Sequence, residues 1–91
     1  MESAARTYRS RTPELGEAFV HDLERAISKI AEAPTRWPVC REDARARRLV
    51  LERFPFTVVY RVQRDAPIVI AVAHNRRRPG FWRDRLRAPP P

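Results

Sequence analysis

The sequence contains few of the residues that would support a disulfide framework, a membrane span or a cysteine metal cluster. Among its 91 residues there is one cysteine, Cys40, so no disulfide can form within one chain. No stretch approaches the roughly 18 apolar residues of a membrane span, and the N-terminus has no apolar signal-peptide core. We therefore expect a soluble, cytoplasmic protein with no membrane association and a core of modest size.

Groups that bind metals or transfer protons are also scarce. The candidate ligands His21, Cys40 and His74 are far apart and lack the paired spacings of metal sites, so we predict no metal and no cofactor. Ser28 lies on a predicted helix, and no nucleophile-turn motif surrounds the other serines. Cys40 lies in a basic loop that could lower its thiol pKa, but an incidental cysteine is the simpler interpretation.

Acidic residues are scarce in the second half of the chain. Residues 1–44 hold six Arg and one Lys against eight acids, a net charge of −1. Residues 45–91 hold twelve Arg against three acids, a net charge of +9, which brings the whole chain to +8. A GC-rich genome explains Arg in place of Lys but not the shortage of acids. The asymmetry predicts an anionic partner: a nucleic acid, an acidic protein segment, or both.

An amphipathic helix is predicted from Pro13 to about Ala33. Thr12 suits the N-cap, and Pro13 suits the first helical position, where its missing N–H is harmless. Pro34 ends the helix, because it disfavours helical geometry in the preceding residue. Charged residues such as Asp22 are expected on the outer faces. Apolar residues at three- and four-residue steps form the core-facing stripe: Leu15, Phe19, Leu23, Ala26, Ile27 and Ile30.

Three short strands are predicted after the helix. Alternation around Leu49 and Leu51 marks the first, and Phe54-Pro55 interrupts it. The second runs from Phe56 to Val62, and a turn at 63–67 leads to a third at 68–73. This third strand is almost entirely apolar, so we expect it to be central. Short connections predict an antiparallel meander, followed by a short helix at 81–86 and a disordered proline-rich tail at 88–91.

An arginine block follows the third strand and contains one histidine and one tryptophan. His74 could act as a general acid or base for an RNase, with Arg48 and Arg76 stabilising the transition state, but no second proton-transfer group is evident. The alternative is that His74 bonds the backbone at a strand end. Phe81 and Trp82 could stack on bases. Alternatively, they could anchor the last turn onto the sheet, with Trp82 burying its ring against the long helix. The turn Arg77-Arg78-Pro79-Gly80 is the best candidate binding surface.

These residues together resemble the RelE/ParE toxin superfamily of bacterial type II toxin–antitoxin modules, particularly the ParE branch of plasmid stabilisation toxins. The resemblance covers about residues 4 to 86. Its most specific parts are Phe54-Pro55-Phe56 with Val59-Tyr60, followed by residues 71–82, AVAHNRRRPGFW. Earlier matching pieces are Leu15-Gly16-Glu17-Ala18-Phe19, Pro34 and Trp37-Pro38.

The resemblance implies an α+β fold in which an N-terminal helical hairpin packs on a small antiparallel sheet of about three strands. Residues 2–11 would belong to the first helix, and residues 1–87 would form one toxin domain. Family members usually begin with an extra edge strand, whereas the resemblance implies that this chain starts inside the first helix. A bare sheet edge of that kind would be prone to pairing.

The two branches of the family imply different activities. RelE-type toxins cleave ribosome-bound mRNA with strand arginines and lysines and a C-terminal tyrosine. Here Thr57 occupies the position of a key arginine, and Phe81 and Trp82 occupy the region of the tyrosine, which weakens the ribonuclease reading. ParE-type toxins inhibit DNA gyrase without catalysis and are neutralised by a ParD-like antitoxin. The alternatives are a RelE-like mRNA interferase or an inactive remnant that still binds its antitoxin.

The resemblance and the charge pattern together predict two surfaces. The gyrase-binding set projects from the C-terminal block, with Arg78 and Arg85 as exposed contacts that do not affect stability: Arg77, Arg78, Pro79, Trp82 and Arg85. The antitoxin would present an acidic, amphipathic C-terminal segment and could link the toxin indirectly to DNA. Its groove would lie along the long helix, with an arginine rim: Phe19, Leu23, Ile27, Ile30, Arg47, Arg48 and Arg61. No catalytic residue is assigned in this reading; the RNase alternative uses His74, Arg76 and Arg48.

Overall fold

The computed structural model describes residues 13–86, which form one α-helix and one three-stranded antiparallel sheet. Helix α1 spans Pro13–Glu32, and strands β1, β2 and β3 span Arg47–Val50, Phe56–Gln63 and Ala66–His74. A 3-10 turn, Arg83–Leu86, closes the described part of the chain. The α+β class and the meander are confirmed. The first helix of the predicted hairpin, the Thr12 cap and the proline-rich tail lie outside the described residues.

Helix α1 packs its apolar stripe on one face of the sheet. Phe19 is fully buried, and its ring makes edge-to-face contacts with Phe54 and Phe56 at centroid distances of 5.4 and 5.0 Å. Leu23 and Ile30 are buried in the same core beside the sheet residues Leu51, Val58 and Tyr60. The helix ends at Glu32, two residues before Pro34, as the steric effect of proline predicts.

The connector between α1 and β1 is held by hydrogen bonds to both elements. The buried Tyr60 hydroxyl donates to the Pro34 carbonyl at 2.6 Å, and Trp37 Nε1 donates to the Lys29 carbonyl at 3.4 Å. Arg47 Nη1 donates to the Trp37 carbonyl at 2.6 Å. A bridge from Val39 to Arg47 then covers the outer edge of β1. The connector is therefore part of the folded domain.

The strand order is β1-β2-β3, so β2 is the central strand and the prediction that β3 is central is wrong. Among the described residues β3 lies at the edge. Its apolar composition has another cause, because residues on both of its faces contribute to a hydrophobic cluster: Val72 packs toward the helix side, whereas Ile70 and Ala71 pack on the opposite side. A strand that contributes to a core on each face can be apolar at most positions wherever it lies in the sheet.

The hairpin between β2 and β3 combines a tight turn with a bulge. Arg64 and Asp65 form the two-residue turn, with φ values of 51° and 65°. Farther along, Val59 pairs with Ala71 and Tyr60 pairs with Val69, which leaves Ile70 without a partner in the ladder. A bulge of this kind increases the local twist and redirects side chains. Ile70 and Ala71 consequently contribute to the same side of the sheet.

The side of the sheet opposite α1 carries a second hydrophobic cluster. Val59 alternates with Val58 and Tyr60 of the helix-side core, so it faces away from α1. The buried residues that it joins come from the connector, β3 and the C-terminal residues: Cys40, Ala46, Ala71, Trp82 and Leu86. The sheet therefore separates two cores.

Candidate functional site

The C-terminal segment, residues 75–86, covers the side of the sheet opposite α1. Asn75 ties its start to the neighbouring strand: its backbone N–H donates to the Pro55 carbonyl at 2.8 Å, and its Oδ1 accepts from the Thr57 hydroxyl at 2.6 Å. Two main-chain bonds, Arg83 N–H to Gly80 O and Arg85 N–H to Trp82 O, shape its last turn. The segment thus has a defined path over the sheet.

Trp82 anchors this segment. Its side chain is 4% exposed and packs in the second cluster with Cys40, Val59 and Leu86. The predicted anchoring role agrees with this burial, but the predicted packing of the indole against the long helix is wrong, because the sheet lies between them. A buried tryptophan also offers no face to a nucleic-acid base.

Arg85 holds the segment to the bulge in β3. Its Nη1 donates to the Ile70 carbonyl at 3.1 Å, at the residue that the bulge leaves unpaired. Its guanidinium also lies 5.4 Å from the Phe81 ring centroid, and that of Arg77 lies 4.2 Å from the same ring. The expectation that Arg85 is only an exposed contact therefore needs correction, since Arg85 also has structural bonds.

Arg61 secures the other end of the segment. From β2 its Nη1 donates to the Leu86 carbonyl at 3.0 Å, while Nη2 donates to Gln63 Oε1 at 3.0 Å. Arg61 thus donates to a carbonyl oxygen of the C-terminal segment, whereas Arg85, which belongs to that segment, donates to a carbonyl oxygen of β3. Their guanidinium groups serve the fold in this structure.

A cleft of about 170 Å³ lies between the C-terminal segment and the sheet, and we call it the arginine cleft. Three arginines line it: Arg48 from β1, and Arg77 and Arg78 from the turn after β3. Its wall includes the apolar residues Val59 and Ala73, the polar residues Thr57 and Asn75, and one carboxylate residue, Glu42. The cleft therefore has three arginines among the residues of a formed wall.

Gly80 shapes the turn beside the arginine cleft. Its φ is +77°, a left-handed conformation that favours glycine. A Cβ at this position would lie 3.1 Å from Arg83 Cδ and 3.2 Å from Glu42 Cβ. The backbone conformation favours glycine, and a Cβ would also require Arg83 or Glu42 to shift slightly. The turn carries Arg77, Arg78 and Pro79 along the cleft wall.

His74 lies at the end of the cleft with its imidazole partly engaged. Nδ1 accepts a hydrogen bond from the Arg76 N–H at 3.1 Å, and the ring packs edge-to-face on Phe56 at 5.2 Å. This is the backbone-bonded strand-end histidine that sequence reasoning kept as an alternative. Of the proposed RNase set, His74 and Arg48 line one cleft, whereas Arg76 does not line it.

Cys40 is buried beneath the cleft, and burial raises the pKa of its thiol, with a further rise from Glu42. The expectation that a basic loop lowers this pKa is therefore wrong. The nearby Arg48 acts in the lowering direction, but it is outweighed. Cys40 is a core residue and a poor candidate for a nucleophile.

The residues predicted to bind an antitoxin are not brought together. Phe19, Leu23 and Ile30 are buried in the helix-side core, so their side chains do not form an exposed groove floor in this structure, while Ile27 is half-buried. The predicted rim is also divided. Arg47 reaches back to the connector, whereas Arg48 and Arg61 lie on the opposite side of the sheet.

Two acidic residues occupy positions in the fold that the sequence does not predict. Asp22 is 3% exposed, and its Oδ2 accepts a hydrogen bond from the Arg53 N–H at 3.0 Å. This corrects the expectation that it lies on an outer face of α1. Glu42 places a carboxylate in the arginine cleft beside Gly80. Neither position could be found from local spacing, because both contacts join residues distant in the sequence.

The described residues, 13–86, contain neither a metal-binding cluster nor a membrane-spanning helix. This part of the chain holds no group of three or more His, Cys, Asp or Glu side chains arranged to bind a metal ion. Helix α1 does not have the length and apolarity needed to cross a bilayer.

Comparison with known proteins yields one family. No curated protein and no solved structure gives a significant match. The model of the ParE toxin of the type II toxin–antitoxin system parDE matches residues 1–79, which is most of the chain. The chain therefore belongs to the ParE toxin family and is the toxin of a type II toxin–antitoxin system, in which an antitoxin is its partner.

Proposed function

We propose that this toxin inhibits DNA gyrase in the bacterial cytoplasm through protein contacts, and that a ParD-like antitoxin neutralises it. The supporting observation is the chemistry of the arginine cleft. Besides arginines, its titratable side chains are Cys40, Glu42 and His74, and the raised pKa of the buried Cys40 thiol disfavours the thiolate. Arginines on a formed wall suit binding more than proton transfer.

The target-binding surface in this proposal is the exposed side of the C-terminal segment. Arg77, Arg78 and Pro79 are exposed, and Arg78 makes no ion pair within residues 13–86. Trp82 and Arg85 support this surface from below, through burial and through the bond to Ile70. The proposed contact residues are therefore Arg77, Arg78 and Pro79.

A supercoiling assay tests the proposal. The purified chain should block gyrase or trap its cleaved DNA, and Arg78→Ala should weaken that effect. Arg64→Ala is the matched control, because it removes the same charge from the exposed β2–β3 turn. Unimpaired gyrase at saturating toxin would contradict the proposal.

A RelE-like mRNA interferase is the second candidate, favoured by the presence of His74 and Arg48 in one cleft. In that case His74→Ala should abolish cleavage of ribosome-bound message together with growth inhibition. Retained toxicity in that variant would exclude a catalytic role for His74. Expression without the antitoxin separates both candidates from an inactive, antitoxin-binding chain, which would leave growth unchanged.

A further inference from the structure

The arginines of residues 13–86 form two groups with different roles. In the first group each guanidinium has a bonding partner inside the fold: Arg25 and Arg45 pair with carboxylates, and Arg47, Arg61 and Arg85 donate to main-chain carbonyls. In the second group Arg48 and Arg78 form no side-chain hydrogen bond or ion pair within the described residues, and Arg77 contacts only the Phe81 ring. These three members of the second group line the arginine cleft. Other arginines without a side-chain hydrogen bond or ion pair within the described residues do not line it: Arg41, Arg53, Arg64, Arg76 and Arg83.

The three arginines of the cleft come from two separate elements, β1 and the turn after β3, and line one space. A guanidinium carries five N–H donors in a planar fork that matches the oxygens of phosphate. Asn75 can add to this donor set, because its Oδ1 already accepts from Thr57 and its amide nitrogen has no partner within the described residues. The cleft is therefore rich in donors and has one opposing carboxylate, Glu42.

Trp82 and Phe81, which line the cleft, are poorly placed for stacking on bases. Trp82 is buried, and the Phe81 ring has guanidinium groups of Arg77 and Arg85 within 4.2 and 5.4 Å of its centroid. A nucleic acid at this site would thus be held by its phosphates and not by its bases.

We propose that the arginine cleft binds the phosphodiester backbone of a nucleic acid strand, independently of base sequence. Arg48 and Arg78 supply the principal contacts, Arg77 and Asn75 add donors, and Glu42 opposes binding. This inference goes beyond gyrase inhibition, since it concerns an affinity of the toxin chain itself. Nucleic-acid binding is measured without gyrase. A chain that does not bind nucleic acid could still inhibit gyrase, and a chain that does not inhibit gyrase could still bind nucleic acid.

The test is fluorescence anisotropy of a labelled, mixed-sequence DNA oligonucleotide titrated with the full chain. Arg48→Ala and Arg78→Ala should each weaken binding about ten-fold and reduce the salt slope by about 1, the usual result of losing a phosphate contact. Arg64→Ala removes the same charge far from the cleft and should change affinity by less than about two-fold. Glu42→Gln should tighten binding about three-fold, because it removes the opposing carboxylate. Thermal melting confirms that each variant is folded.

Three further probes identify the ligand chemistry. An abasic oligonucleotide of equal length should bind as well as the parent, whereas weaker binding would show base recognition and overturn the proposal. Inorganic phosphate at millimolar concentration should compete only weakly, and full competition would assign the cleft to a free anion. A polyglutamate peptide of equal charge should compete poorly with the oligonucleotide. If it competes as well as DNA does, or if the cleft variants and the Arg64→Ala control lose the same affinity, the binding is general charge attraction and the cleft is not a specific site.

Discussion

At the residue scale, the β2–β3 turn places two non-glycine residues in a left-handed conformation. Arg64 and Asp65 have φ values of 51° and 65°, which correspond to a two-residue hairpin turn that favours Asn-Gly. The side chains are exposed, so nothing in the core depends on them. The sequence indicated a turn here but not its handedness, because Arg has no preference for positive φ.

The double substitution Arg64→Asn/Asp65→Gly should therefore stabilise the protein by about 0.5–1 kcal/mol, because it relieves backbone strain. The measurement is the free energy of unfolding from urea denaturation. Swapping the two new residues, as Arg64→Gly/Asp65→Asn, is a control for the change in composition. A loss of stability in the Asn-Gly variant would contradict the assigned turn conformation.

Arg78 and Arg85 are both exposed, but their contacts differ, and so should the effects of removing them. Arg85→Ala loses the bond to Ile70 O and the contact with Phe81, and should cost about 1 kcal/mol. Arg78→Ala loses no bond within the described residues and should change stability by less than about 0.5 kcal/mol. Thermal melting of the two variants, which have equal charge, compares them directly. Equal melting temperatures would show that Arg85 does not hold the segment.

At the scale of elements, hydrophobic periodicity predicts the helix and the strands, but it does not predict how they are arranged. The stripe through Phe19, Leu23 and Ile30 predicted α1 and its core face, and alternation predicted β1 and its inward residues. The position of β3 could not be predicted, since an apolar strand indicates two covered faces and not its place in the order. Likewise, the sequence predicted that Trp82 is buried but not on which side of the sheet.

The Asp22 carboxylate joins α1, by one hydrogen bond, to a loop that is distant in the sequence. Its buried Oδ2 accepts from the Arg53 N–H, just before the Phe54-Pro55 interruption of the sheet. Asp22→Ala would remove the charged acceptor of the Arg53 N–H and should cost about 2 kcal/mol. Glu24→Ala, at an exposed site on the same helix, is the control and should cost less than about 0.5 kcal/mol. Chemical denaturation measures both, and similar values would exclude the proposed tie.

At the scale of the whole molecule, stability should fall at both ends of the pH range. The Lys29 ammonium, 2.6 Å from Glu52, lowers the pKa of that carboxyl, and hydrogen bonds from Arg45 lower the pKa of Asp43. These contributions are complete above the pKa of the unfolded carboxyls and are lost as pH falls through the folded values. Burial raises the pKa of Tyr60 and Cys40, whose contributions are lost as pH rises above their unfolded values.

Urea titrations across pH test this pattern. Glu52→Gln should flatten the acidic limb of the stability curve, and Tyr60→Phe should flatten the alkaline limb while lowering stability throughout, because the Pro34 carbonyl loses its donor. Limbs of unchanged slope in both variants would show that other groups control the pH dependence.

The net charge of +8 should control how fast an acidic antitoxin associates. Long-range attraction raises the on-rate and is screened by salt, whereas buried contacts determine the off-rate. Raising salt should therefore lower the on-rate markedly and change the off-rate little. Stopped-flow association and displacement experiments measure the two rates, and an on-rate independent of salt would show that the arginine surface does not steer this partner.

The sheet that divides the two cores also separates the effects of substitutions on its two sides. Neighbouring residues of β2 face opposite sides of the sheet. Val58 packs in the helix-side core, whereas Val59 packs against the C-terminal segment, so each side chain contributes to one side only. Substitutions in the arginine cleft should therefore have little effect on the packing of α1. We expect substitutions of exposed residues in the C-terminal segment to leave the packing of the helix side unchanged, so that the binding surface can be altered on an intact scaffold.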